Sequence, residues 1–274
     1  MMKTYNQNLP VNFIVMIVTV LLISIVMLNS CTKVVDIKVG NDTDKLVIEG
    51  MVIDTAGSQS VKLTTNVPFS NSNTYPPVTG AIVSVNDGNG STYNYIEGPS
   101  GIYTSPAFVA KAGNNYTMHV LVNGTDYTAS SRMPELVVLD SLSSKVSPFD
   151  SKQREVTVYY KDPAGKANYY RFVMFLNGVQ VKAVFVFNDD FNDGKKVSID
   201  LSDDDTDMFS GDKVTVEMQC IDKSIFTYWN TLMQQGGSGP GGGVTPSNPP
   251  TNISPSVLGY FSAHTSQKKS MVLK

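Results

Sequence analysis

The sequence predicts a mainly β protein built of two β-sandwich-like domains, the second of them β-rich with one short helix. Three observations predict this. Short runs in which apolar and polar residues alternate recur along the chain from Leu46 onward. Clusters of Gly, Asn, Asp and Pro punctuate them. A helical period surfaces only once, after Asp222. Strands at regular spacing with turn chemistry between them and no helices are the pattern of a sandwich or barrel.

The elements of the first domain follow in order. Leu46, Ile48 and, beyond Gly50, Val52 alternate with partners on the other face, and Val61-Lys62-Leu63-Thr64 is a second strand. Pro68 to Pro77, rich in Asn, Ser and Pro, is a long polar loop. Ala81 to Val85 forms a strand that ends at Asn86-Asp87-Gly88-Asn89-Gly90, whose residue types supply the positive φ angles of a hairpin loop. Thr92 to Ile96 and Gly101 to Val109 continue the pattern. Tyr116 to Val122 alternates, Asn123-Gly124 turns and Thr125 to Ala129 returns. Asn-Gly between alternating runs is the strongest short hairpin signal. Residues 45–134 therefore read as an all-β domain of immunoglobulin-like size, closed by Met133-Pro134.

The second domain, 135–274, opens with Leu136 to Leu142. Val156 to Tyr160 is a strand, and Asp162-Pro163-Ala164-Gly165 is a turn. Asn168 to Phe175 is a strong strand that Asn177-Gly178 turns into a single returning strand, Val179 to Phe187. Two acidic loops, Asn188 to Gly194 and Ser202 to Met208, flank a short strand at Val197 to Leu201, and Lys213 to Cys220 is a strand again. Asp222 is a good N-cap. After it, Ile225, Trp229 and Leu232 fall at i, i+4 and i+7, one apolar stripe of a three-turn helix that covers a core or, alternatively, binds a partner. A Gly/Pro-rich loop spans 236–256, of which Gly236 to Pro250 is too polar to bury. Val257 to Ala263 and Met271 to Leu273 read as two closing strands.

The N-terminus bears on location. Met1 to Asn12 is polar with one positive charge, Lys3, and Phe13 to Leu28 is almost wholly apolar. That run is long for a signal-peptide core and short for a spanning helix, which needs ~20 residues. It ends at Leu28-Asn29-Ser30-Cys31, the register of a lipoprotein cleavage box in which Asn29 is the looser match. Residues 1–30 then read as a signal peptide, Cys31 as the lipidated first residue and 31–44 as a polar tether. The other reading is an uncleaved membrane anchor. Either places the body outside the cytoplasm, and several acyl chains hold a protein at a membrane far better than one.

Composition narrows the function. The chain has 21 Lys+Arg against 24 Asp+Glu. This mild acidity, with no basic cluster, argues against a nucleic-acid binder. With Cys31 acylated, Cys220 has no intramolecular partner and reads as a buried core residue, or else as a reactive thiol. Two histidines, His119 and His264, with no clustered Cys fall short of a zinc set. No Gly-x-Ser-x-Gly elbow is present, and Gly236 to Gly243 lacks the Lys-Ser/Thr of a phosphate loop. The acidic loops are the one metal-like feature. Asp189, Asp190 and Asp193, with Gly194 at the sixth position, resemble a calcium loop, but Phe191 stands at the third, where an oxygen is required. The other reading of these and of Asp203, Asp204, Asp205 and Asp207 is solvated acidic loops. Asp54-Thr55-Ala56 and Asp140-Ser141-Leu142 fit a short O-glycosylation pattern. No cofactor is expected.

Several stretches taken together resemble one family. They are Cys31 in its lipobox, Leu46-Val47-Ile48-Glu49-Gly50, Pro76-Pro77-Val78-Thr79-Gly80-Ala81, Tyr127-Thr128-Ala129 with Met133-Pro134, and Asp140-Ser141-Leu142. Asp162-Pro163 with Asn168-Tyr169-Tyr170-Arg171-Phe172, Phe191-Asn192-Asp193-Gly194, and Asn248-Pro249-Pro250-Thr251-Asn252-Ile253 running to Leu258-Gly259-Tyr260-Phe261-Ser262-Ala263 complete the set. In order and spacing the chain resembles the Bacteroidota lipoprotein family catalogued as domain of unknown function 4249. The first domain also resembles the carboxypeptidase-regulatory type of sandwich. Ser254-Pro255-Ser256-Val257 is shorter than the Asn-rich stretch usual in that family. The resemblance implies an outer-membrane, lipid-anchored, surface-facing protein whose genes neighbour those of TonB-dependent receptors. It carries over no catalytic residue. The function expected is a non-enzymatic accessory or ligand-capturing partner of such a β-barrel receptor, the alternative being a structural or adhesive envelope protein.

Overall fold

The computed structural model describes Met16 and residues 43–68, 74–203, 205–235 and 247–274. The chain divides into units 1–41 and 42–274, and the description that follows is of the second. Cys31, Asp204, residues 69–73 of the first polar loop and 236–246 of the Gly/Pro-rich loop lie outside the described residues.

The protein is mainly β, with two hydrophobic cores. The first core is enclosed by β1 (Leu46–Ile53), β2 (Ser60–Thr65), β3 (Ile82–Asn86), β4 (Thr92–Glu97), β5 (Ile102–Thr104), β6 (Asn115–Val122) and β7 (Thr125–Arg132). Alternation decides which side chains enter it. Tyr116, Met118, Val120 and Val122 of β6 point inward, while His119, between them, is exposed and lies 3.5 Å from Asp126. The β6–β7 hairpin turns at Asn123 and Gly124 with φ of 52° and 77°, the two positive angles of a type I′ turn.

The second core lies between two layers. One holds β8 (Leu139–Val146), β9 (Arg154–Lys161) and β13 (Lys196–Leu201), in the order β13-β9-β8. The other contains β10 (Tyr169–Leu176), β11 (Val179–Gln180), β12 (Phe185–Asn188) and β14 (Lys213–Ile221). Asn177 and Gly178, at φ of 51° and 86°, repeat the turn chemistry of the first hairpin. The returning strand is not the single element expected from Val179 to Phe187. Phe172 pairs with Phe185, and Phe175 with Gln180. Four residues, Val181–Val184, thus lie opposite two, Val173 and Met174. This is a bulge, and it breaks the strand into β11 and β12.

The two closing strands expected near the C-terminus are one, β16 (Leu258–Val272). Leu258 to His264 pair in parallel with β1, and Thr265 to Val272 pair antiparallel with β14. The strand thereby joins both halves into one 13-stranded sheet. Its centre carries no apolar pattern because hydrogen bonds, rather than burial of apolar side chains, define it there. The N–H of Ser266 donates to Asp54 Oδ1 at 2.9 Å, and Gln267 Oε1 accepts from the N–H of Leu139 at 3.0 Å. Phe261 and Ala263 belong to the first core and Leu273 to the second. Ile253, on the short β15 (Ile253–Ser254), also joins the first core, so the last segment of the chain serves both. Gly259 permits the crossing. Its φ is 100°, and a Cβ there would lie 2.0 Å from the Ile48 carbonyl oxygen.

The helix α1 (Lys223–Gln235) begins as expected. Asp222 Oδ1 accepts from the N–H of Ile225 at 3.0 Å, the cap that satisfies an otherwise orphaned donor. Its apolar stripe forms a third cluster with Val186, Ile221 and Tyr260 rather than entering the second core. Cys220 is buried, and burial pushes its thiol pKa up, as for a core residue.

Candidate functional site

The second unit carries two acidic loops, and the structure treats them differently. In the first, Asp189 is buried and Asp193 exposed, and both approach Asp162, from the turn after β9. Ligand oxygens of these three carboxylates lie within 4.8 Å of one another. Asp190 is outside this trio and accepts from Asn188 Nδ2 at 2.6 Å. Asp162 was legible only as a turn residue.

The trio is occupied by donors of its own chain. Asp162 accepts from the Tyr170 hydroxyl and from the N–H of Gly194 at 3.1 Å. Asp189 Oδ2 accepts from the N–H of Asn168 at 2.9 Å, and Asp193 Oδ1 from that of Gly165 at 2.7 Å. Burial, with the Asp162 carboxylate beside it, raises the Tyr170 phenol well above its usual range, which keeps it a donor. The arrangement ties the β9–β10 turn to the 189–194 loop. An all-oxygen set of this kind suits a hard cation such as calcium. Asn168, whose backbone N–H binds Asp189, has a buried Oδ1 with no hydrogen-bond partner among the described residues.

The second acidic loop opens instead onto a groove of about 1130 Å³. One wall is the β11 strand and the bulge that follows it, where Val179 is 72% exposed and Val181 and Phe185 are buried. Leu232 and Met233, from the last turns of α1, close one side. Asp200, Asp203, Asp205 and Asp207 line the other. Asp200 is held by Lys145 and by the Thr157 hydroxyl at 2.6 Å, and these partners keep its carboxyl below the usual range. Asp203 and Asp207 accept only from neutral groups, the Thr206 hydroxyl at 2.6 Å and Gln153 Nε2 at 2.6 Å. The groove therefore combines an apolar floor with carboxylates that no cation neutralises among the described residues.

A third polar site lies inside β16. His264 is 1% exposed, its Nδ1 is 3.0 Å from the Ser262 hydroxyl, and its Nε2 has no protein partner. Burial lowers its pKa to about 4. Nearby, Arg171 stacks 3.7 Å over the Trp229 ring and donates to Gln219 Oε1 at 3.0 Å, and Gln219 in turn donates to Glu217. These groups join α1 to both halves of the long strand. His264 and exposed His119 are not brought together.

The remaining sequence candidates divide simply. Thr55 and Ser141, the hydroxyls of the two O-glycosylation patterns, are exposed. Of the aromatics on the strands between Val156 and Phe187, Tyr160, Tyr170, Phe172 and Phe185 are buried and Tyr159 is 36% exposed, so most of them are core; Phe149, Phe191 and Phe209, outside the named strands, are exposed. The groove's floor was missed because its apolar residues come from two stretches far apart in sequence, 176–187 and 232–233.

No helix among the described residues is long and apolar enough to cross a membrane. Among curated proteins none matches this chain. Solved structures similar to it include a cytokine receptor complex, at 9% identity and a TM-score of 0.26, covering 66% of this chain and 92% of that one. A two-domain fibronectin type III segment of chicken tenascin is 13% identical with a TM-score of 0.23, covering 85% and 98%. The Yersinia pseudotuberculosis adhesin InvE is 19% identical with a TM-score of 0.21, covering 64% and 54%. At such scores none of them bears on function. The family model described as "Domain of unknown function (DUF4249)" matches residues 32–270, and the chain belongs to that family.

Proposed function

We propose that this protein is a non-enzymatic binding lipoprotein, anchored through Cys31 at the outer membrane, that acts as an accessory or ligand-capturing partner of a TonB-dependent β-barrel receptor. The observation that carries the reading is the groove between β11, the 200–207 loop and α1. It is large and open, it has an apolar floor, and its carboxylates Asp203 and Asp207 make only neutral hydrogen bonds. Concave sites with an apolar lining and a few placed polar groups are where proteins hold ligands and partner segments. Among the described residues the groove's polar lining is Asp, Ser, Thr, Gln and Lys, with no histidine or cysteine. The receptor partnership and the lipid anchor rest on the family resemblance and on the lipobox at Leu28 to Cys31.

A mild-detergent pull-down of the tagged protein from its native outer membrane, read by mass spectrometry, tests this. A stoichiometric large β-barrel is the expected result. Recovery of the lipoprotein alone, with the barrel present in the input, overturns the partnership and leaves a structural or adhesive envelope role.

A further inference from the structure

We propose that the groove docks an extended polypeptide segment whose side chains alternate between apolar and basic, by adding that segment as a strand to the β11 edge. The inference deepens the proposed binding function and rests on the groove being its binding site.

Backbone geometry comes first. β11 ends the 13-stranded sheet and β13 ends the three-stranded sheet, and residues of both line the groove. Among the described residues Val179 and Gln180 pair only with Leu176 and Phe175. The bulge Val181–Val184, which also lines the groove, carries the edge away from its ladder, leaving it with Val181 N–H to Met174 O at 2.8 Å. Edge strands present unpaired N–H and C=O groups that can template pairing with another chain. Added strands draw affinity from such main-chain bonds and specificity from pockets that take alternate side chains.

The chemistry of the walls selects the occupant. A strand laid against the edge turns every second side chain to one face. The floor, Val181, Phe185 and Leu232, takes apolar side chains on one face. The opposite set of side chains meets Asp203, Asp205 and Asp207, where a Lys or Arg gains uncompensated carboxylates. Lys182 is the one basic residue on the lining among the described residues and disfavours a second basic group at its own position. The chain's own 236–246 stretch has no basic residue and only Val244 as a large apolar one, so it does not supply this occupant.

Fluorescence anisotropy on the mature protein tests the proposal. The probe is a labelled octapeptide, end-capped, alternating valine and lysine. It is expected to bind, with at least ~10-fold weaker affinity in the D205N/D207N variant and no change in D126N, a charge removal on the distant β6–β7 hairpin. N-methylation of alternate peptide nitrogens is expected to weaken binding by ~10-fold at unchanged charge. No binding, equal binding of a valine–glutamate peptide, or insensitivity to N-methylation each overturns it. Self-association of the protein that D205N/D207N abolishes, with no peptide binding, assigns the groove to a second copy instead and also overturns it. The outcome separates from that of the pull-down. A barrel that still co-purifies when the peptide fails keeps the receptor partnership, and peptide binding without a barrel keeps the groove.

Discussion

The two acidic loops of the second unit are alike in composition and opposite in use. In the first, Asp189 and Asp193 approach Asp162 and accept from backbone N–H groups of the β9–β10 turn, while Gly194 donates to Asp162. In the second, Asp203, Asp205 and Asp207 line a groove, and among the described residues Asp203 and Asp207 meet only neutral donors. The difference is one of available donors. The first loop faces a turn whose Gly165 and Asn168 N–H groups have no ladder to join, and a buried carboxylate there is stabilised by accepting from them. The second loop faces the broken edge of a sheet across open space, where its charges stay solvated.

The sharpest break of this comparison is Asp162→Ala. Asp162 is 1% exposed and receives two donors, so truncation strands the Tyr170 hydroxyl and the Gly194 N–H in the interior. Losing one side of a buried, hydrogen-bonded charge costs about 4 kcal/mol. Chemical denaturation should show that loss, whereas Asp205→Ala should leave the midpoint nearly unmoved. Equal effects of the two substitutions would dissolve the distinction between the loops.

His264 extends the comparison to pH. Its pKa falls from 6.5 in the unfolded chain to about 4 in the folded one, because burial penalises the charged ring. As pH drops below ~6.5 the unfolded chain takes up a proton that the folded chain refuses. Stability present above that pH is therefore lost as pH falls toward 4, by roughly 3 kcal/mol from this group. Glu217, which its hydrogen bonds from Gln219, Ser266 and Lys268 hold below its usual range despite partial burial, adds loss at lower pH. His264→Asn should flatten the stability profile between about pH 7 and pH 4.5 relative to wild type, by the His264 share alone. An unchanged slope would mean that the ring takes up its proton in the folded state as easily as in water.

Local chemistry made some of this legible in advance and topology hid the rest. Asn123-Gly124, Asn177-Gly178 and the Asp222 cap act on residues a few positions away, and their geometry follows from residue type. Alternation placed Tyr116, Met118 and Val120 inward and His119 outward for the same reason. The long last strand looks like two in the sequence because His264 to Ser270 are polar, and a polar stretch becomes central only when strands from both cores flank it. Asp162 looked like an ordinary Asp-Pro turn because its partners Asp189 and Gly194 come some thirty residues later. The groove was invisible for a related reason. Its floor depends on the register break between Gln180 and Phe185, and nothing in Val179 to Phe187 taken alone says that four residues will face two.

The smallest expected effect is the most discriminating. Asp205 is exposed, and its neighbours Asp203 and Asp207 carry the same charge. Replacing it with Asn removes repulsion rather than a bond, so stability should stay within about 0.5 kcal/mol of wild type. Any gain should shrink as salt rises, because exposed like charges are screened. Asp193→Ala is the contrasting change in the other loop. Asp193 is also exposed, but it accepts from the Gly165 N–H at 2.7 Å, so its truncation should destabilise by roughly 1 kcal/mol, a loss that salt leaves largely intact. Denaturation of both variants at low and high salt therefore pits exposure against partnership. If both track salt alike, solvent exposure governs the carboxylates of both loops. If only Asp205→Asn does, the backbone donors of the β9–β10 turn are what set the two loops apart.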